Sequence, residues 1–149
     1  MILRPLEISI DPSKPYARDM NKEQRWRPLE DLAYQQETLV VEPVPALRPG
    51  EKRIDIDDLV KRQNAIAGRS FGQRHAEAIF ALRDSLPPEW RRIKLVFPGT
   101  VWLDGAPDKP ITWVPIVHYL LGYGWEYCFR WPIIGVGFTE EDYVLRIRS

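Results

Sequence analysis

Residues 111–131 read ITWVPIVHYLLGYGWEYCFRW, and the fold turns on how this stretch is taken. It is apolar, but Pro115, His118 and Glu126 interrupt it and Gly122-Tyr123-Gly124 carries turn chemistry. A membrane-spanning helix needs about 20 predominantly apolar residues. Taken with a period of two, the stretch becomes two paired strands, Ile111–Leu121 and Trp125–Trp131, around the Gly-Tyr-Gly turn. Trp125, Tyr127, Phe129 and Trp131 then share one face, with Trp113 and Tyr119 extending it across the hairpin. Glu126, Cys128 and Arg130 take the other face.

Working outward, Tyr143–Arg148 alternates as a half-exposed last strand. On the other side, Ile93–Phe97 and Thr100–Leu103 flank Pro98-Gly99, which reads as a hairpin-like turn. Sequential strands with short connections predict an antiparallel meander.

Two helices precede it. Asp55-Ile56-Asp57-Asp58 is a helix start, and Ile56, Leu59, Val60, Ile66 and Ala67 share one helical face up to Gly68. Ser70-Phe71-Gly72-Gln73 fits a capping box, and the stripe Phe71, His75, Ala78, Ile79, Leu82, Leu86 runs to Pro87-Pro88. Residues 1–53 hold seven of the 14 prolines, which disfavours long helices and central strands. Only a helix over Leu29–Gln36 and a strand over Thr38–Val41, closed by Pro43-Val44-Pro45, are expected there. The expected fold class is therefore α+β: a helix pair packed on a four- or five-stranded antiparallel meander, helix 70–86 covering one face. An extended Pro-rich arm, residues 1–53, precedes a single domain, residues 54–149.

Composition excludes several classes. The 149 residues carry 21 Lys+Arg against 21 Asp+Glu, so no global charge draws the chain to nucleic acid or to an anionic membrane. A single Cys excludes an internal disulfide and a zinc site built on cysteines. The N-terminus has no basic segment leading into an apolar one, so no signal peptide is expected. The expected location is the cytoplasm or a particle assembled there, with no membrane partner.

Gly68-Arg69-Ser70-Phe71-Gly72 satisfies G-x-S-x-G, with Asp104 or Asp108 and then His118 in hydrolase order. That chemistry needs a strand before the serine, whereas a helix is predicted there, and Ser70 is explained as a helix cap. Asp55-x-Asp57 lacks the Gly and Glu that a calcium loop requires, since those positions hold Val60 and Ile66. His75 lies on its helix's apolar stripe and His118 alternates with Val114 and Ile116. With Cys128 they form a weak metal candidate, and no metal and no cofactor is expected. Residues 61–94 carry eight basic groups against three acidic ones, so Arg69, Arg74, Arg91 and Arg92 are phosphate-contact candidates.

The six Trp, six Tyr and five Phe exceed what one helix over one sheet buries. Phe80 points away from its helix's stripe. Trp26, Phe80, Trp90, Trp102, Trp113 and Trp125 are accordingly the partner-binding candidates. The leading expectation is a non-catalytic interaction or assembly protein whose arm and aromatic surfaces pack on identical or different subunits. A phage virion or other bacterial assembly component is one concrete version. The alternatives are a phosphate- or nucleic-acid-contacting regulatory module through residues 61–94 and a small hydrolase using Ser70.

Overall fold

A computed structural model describes residues 2–67, 70–105, 108, 110–131 and 137–148. The strands in chain order are β1 (Leu6–Ile10), β2 (Arg27–Glu30), β3 (Glu37–Pro45), β4 (Lys94–Val96), β5 (Val101–Asp104), β6 (Ile111–Leu120), β7 (Gly124–Arg130) and β8 (Asp142–Ile147). The helices are α1 (Met20–Gln24), α2 (Ile56–Ala67) and α3 (Gln73–Ala81), with 3₁₀ turns at Arg83–Ser85 and Pro88–Arg92.

The hairpin of β6 and β7 forms as the alternation predicts, with Leu120 opposite Gly124 and a three-residue loop between them. Gly122 and Gly124 both take positive φ, which the tight reversal requires and glycine supplies without strain. The rest departs from a meander. The sheet runs β1-β3-β8-β4-β6-β7, and β5 and β2 branch from β6. The described residues give it eight strands, and it is mixed because β4 and β8 run parallel. This overturns the expected four- or five-stranded antiparallel meander.

Residues 1–53 supply β1, β2 and β3 and so build the sheet instead of lying outside it as an extended arm. Two prolines in β3 are tolerated for a local reason. Arg148 N–H donates to Val40 C=O and Ala46 N–H to Asp142 C=O, so the even residues of β3 bond to β8. Pro43 and Pro45 face the other edge, where pairing with β1 has ended at Val41. Their missing N–H groups therefore remove no ladder bond. The helix expected at Leu29–Gln36 is absent; β2 and an irregular segment occupy that place.

Pro98-Gly99 is a bulge and not a hairpin turn. Lys94 pairs with His118 and Asp104 with Ile111. Ten residue steps on one strand thus span seven on the other, leaving three residues extra. The bulge falls opposite Pro115, whose carbonyl accepts from Phe97 N–H at 3.0 Å but whose nitrogen has nothing to donate.

The expected helix pair is also divided. Leu95, Val117, Tyr127 and Leu145 face α3 in one cluster that includes Ala76, Ile79 and Trp90. Val96, Ile116 and Val144, their sequence neighbours, face the opposite way with Leu59 of α2. The two helices therefore cover opposite faces of one sheet. Helix α3 starts at Gln73 with Gly72 as its cap, and His75 Nδ1 accepts from Gly72 N–H at 2.9 Å. The expected Ser70–Gln73 box is not used, because the Gln73 side chain turns inward to Trp102 and Arg18.

Candidate functional site

Five of the aromatic candidates are internal or stacked on the chain itself. Trp90 is fully buried and its Nε1–H donates to Arg4 C=O at 2.9 Å, under the N-terminal segment. Trp102 is buried and donates to Gln73 Oε1 at 2.8 Å. Trp26 stacks on Trp113 with centroids 4.9 Å apart, and Phe129 meets it edge-on at 5.8 Å. Phe80 is half-buried between Tyr127 and the Arg83 guanidinium, which lies 4.6 Å above its ring.

Trp125 belongs to a different surface. It lies edge-on to its cross-strand partner Tyr119 at 5.6 Å, and the exposed Arg91 guanidinium sits 4.8 Å from the Tyr119 ring. Beyond this pair the loop presents Leu121 and Tyr123, which are 92% and 91% exposed. In the sequence Leu121 reads as a strand end and Tyr123 as a turn residue, which concealed them. The signal was their side-chain type, since a turn needs neither a leucine nor a tyrosine.

The other face of the same hairpin carries His118, Glu126 and Cys128. His118 pairs directly with Glu126, and Cys128 follows two residues on. His118 Nε2 lies 3.2 Å from Glu126 Oε1 and 3.9 Å from Cys128 Sγ. Burial, then the neighbouring Glu126 carboxylate, pushes the Cys128 thiol up to about 12. The Cys128 and His118 hydrogen bonds hold the Glu126 carboxyl below its ordinary range. A catalytic thiol needs the opposite shift. A nucleophile–base–orienter chain also uses both imidazole nitrogens, whereas Cys128 and Glu126 converge on one. His75 does not join them: it is buried in α3 against Phe71 and Tyr34. Glu126 replaces it, as the short loop sets the register that places Glu126 opposite His118.

The remaining candidates are scattered. Arg74 stacks 4.6 Å from the Tyr16 ring and donates to Lys14 C=O at 2.6 Å. Arg91 and Arg92 are exposed on the 3₁₀ turn 88–92. Gly68 and Arg69 lie outside the described residues. Ser70 is almost buried, and the element before it is α2 and not a strand. It borders a cleft of about 760 Å³ with Leu29–Gln35, Pro98 and Gly99. At that cleft Asp31 accepts hydrogen bonds from Tyr16, from Tyr34 at 2.9 Å and from Thr100 at 2.7 Å. These bonds fasten residues 16–34 to the bulge.

No protein-family profile, curated protein or solved structure matches this chain. No helix among the described residues is long and apolar enough to cross a membrane.

Proposed function

We propose that this chain is a non-catalytic interaction protein that packs on neighbouring protein subunits through the tip of its β6–β7 hairpin. The observation that carries this reading is the near-complete exposure of Leu121 and Tyr123 at the end of a rigid two-stranded support. Tyr119, Trp125 and Arg91 flank them. Tyrosine, tryptophan and arginine are the residue types that anchor interfaces, where a ring is buried with little entropy lost. The N-terminal segment takes a different part from the one its sequence implies. Its Trp26 fills the chain's own core, and Leu121 and Tyr123 at the hairpin tip are the most exposed large hydrophobic residues among the described residues.

Phosphate contact through residues 61–94 has weaker support. Arg74 is held by Tyr16 and Lys14, and Arg91 lies on Tyr119, at separate places on the surface.

Light scattering of the purified chain against concentration tests the reading. Wild type should exceed the 17.4 kDa of one chain. The double variant Leu121→Asp, Tyr123→Asp should remain at that mass with unchanged circular dichroism. A wild type that stays monomeric throughout, or a variant that associates equally well, would overturn association through this tip.

A further inference from the structure

We propose that His118, Glu126 and Cys128 form a three-ligand binding site for a divalent cation of the zinc class. The site lies on the face of the β6–β7 hairpin opposite the tryptophans. It is independent of the association proposed above.

The geometry is that of ligands around a common point. The three donor atoms all lie within 4.8 Å of one another. Zinc takes nitrogen, sulfur and oxygen at about 2.0–2.3 Å in a tetrahedron, so nitrogen–oxygen edges are about 3.3 Å and nitrogen–sulfur edges about 3.6 Å. The corresponding separations here are 3.2 Å and 3.9 Å. The sulfur lies within 4.8 Å of the carboxylate oxygen, and binding draws it inward.

The scaffold fixes this arrangement. Direct pairing of His118 with Glu126 puts their side chains side by side, and Cys128 shares their face because strand side chains alternate. Donors on paired strands are held more rigidly than donors on loops. Charge also fits. The entering cation displaces the Cys128 thiol proton to solvent, and the resulting thiolate, the Glu126 carboxylate and a neutral imidazole together carry −2, which balances one divalent cation. The cationic side chains around the cluster are paired elsewhere: Lys94 with Glu141 at 3.3 Å, Arg130 with Asp142 at 2.6 Å, and Arg18, whose charge reaches Cys128, with Glu23 at 3.0 Å.

The donor set decides the class of cation. Magnesium and calcium take oxygen ligands, whereas a mixed nitrogen, sulfur and oxygen set selects zinc and its neighbours. Three protein ligands leave a fourth position for water. The Glu126 side chain is 45% exposed, which gives the cation a path from solvent.

Cobalt(II) chloride is the probe. Added to the chelator-stripped full chain, one equivalent should give a thiolate-to-cobalt charge-transfer band and the intense visible bands of tetrahedral cobalt. Zinc chloride should then displace it. Cys128→Ser should abolish the charge-transfer band, and His118→Ala and Glu126→Gln should each weaken binding at least tenfold. Because Cys128 is the chain's one cysteine, its reaction with a thiol reagent reads this site alone. Zinc should slow that reaction in wild type at least tenfold, a measurement that needs no variant to fold. A weak octahedral cobalt spectrum, a band that survives Cys128→Ser, or a thiol that zinc does not protect would overturn the site.

Discussion

The Thr100 hydroxyl, in the bulge between β4 and β5, donates to the Asp31 carboxylate at 2.7 Å, across 69 residues of sequence. The same oxygen accepts from Gln73 N–H at 2.8 Å, at the first turn of α3. One hydroxyl therefore ties the sheet's irregular centre to both the N-terminal segment and the helix that covers it. Thr100 is buried, so replacing it by Val leaves the Gln73 N–H without an acceptor in a place water does not reach. An unsatisfied buried donor costs about 1–3 kcal/mol. Thr100→Val should lower the urea-unfolding free energy by that amount and Thr100→Ser by less than half of it. An unchanged stability in Thr100→Val would show that the hydroxyl does not hold the junction.

Gly72 is needed for the same junction. A Cβ there would stand 2.4 Å from the Tyr34 hydroxyl and 2.6 Å from Thr100 Oγ1. Its φ is −121°, an ordinary extended value, so the demand is for space and not for an unusual backbone. Gly72→Ala must displace two hydroxyls that both donate to Asp31. Overpacking of this kind costs about 1–3 kcal/mol. Thermal unfolding should register that loss in wild type, and much less of it in a Tyr34→Phe background, where the nearest oxygen is gone. A full-sized loss in both backgrounds would place the strain elsewhere.

The hairpin was legible because a period of two and a Gly-Tyr-Gly turn are local signals. The two helices were legible for the same reason, although not their placement on opposite faces. That placement depends on β8 entering between β3 and β4, a long-range pairing that leaves no mark in the strand's own sequence. The N-terminal segment was misread through its prolines. Pro43 and Pro45 are harmless only because β1 stops at Val41, which no local pattern reveals. At the metal site His118 and Cys128 were visible as residue types. Their partner Glu126 depended on the hairpin register, and His75 was drawn in only by being the other histidine.

The N-terminal strand should loosen in acid. Arg4 binds Glu89 by two side-chain hydrogen bonds, at 2.7 Å and 3.0 Å, and this holds the Glu89 carboxyl down at about 2 against an ordinary value near 4.5. A depressed carboxyl stabilises the fold at pH above its unfolded value, and the contribution is lost as pH falls through the folded value. The window is therefore pH 4.5 down to 2. Arg4 is 63% exposed, so salt screens the pair. The protection of residues 6–10 against hydrogen exchange, taken relative to the intrinsic rate at each pH, should fall across that window in wild type. Glu89→Gln should show the lower protection already at neutral pH and a flat profile below it. A wild-type profile as flat as the variant's would remove the pair from any role in holding β1.

Alkaline conditions should act on the other side of the same segment. Burial first, and the nearby Asp31 charge, push the Tyr34 phenol up to about 12 from an ordinary value of 10, against the opposing hydrogen bond from Thr100. Tyr34 is an acid whose neutral form the fold favours. Its contribution is complete below pH 10 and is lost as pH rises from 10 to 12. Tyr34→Phe removes both the donor to Asp31 and the acceptor of Arg74 N–H, which should cost about 1 kcal/mol at neutral pH. Tyr16 and Tyr127 are also raised by burial and remain in both proteins, so both will lose stability in alkali. The difference between the two proteins isolates Tyr34. Measured by urea unfolding at successive pH values, the gap should be constant up to pH 10 and close towards pH 12. A gap that stays open through that range would mean that the Tyr34 phenol does not ionise late.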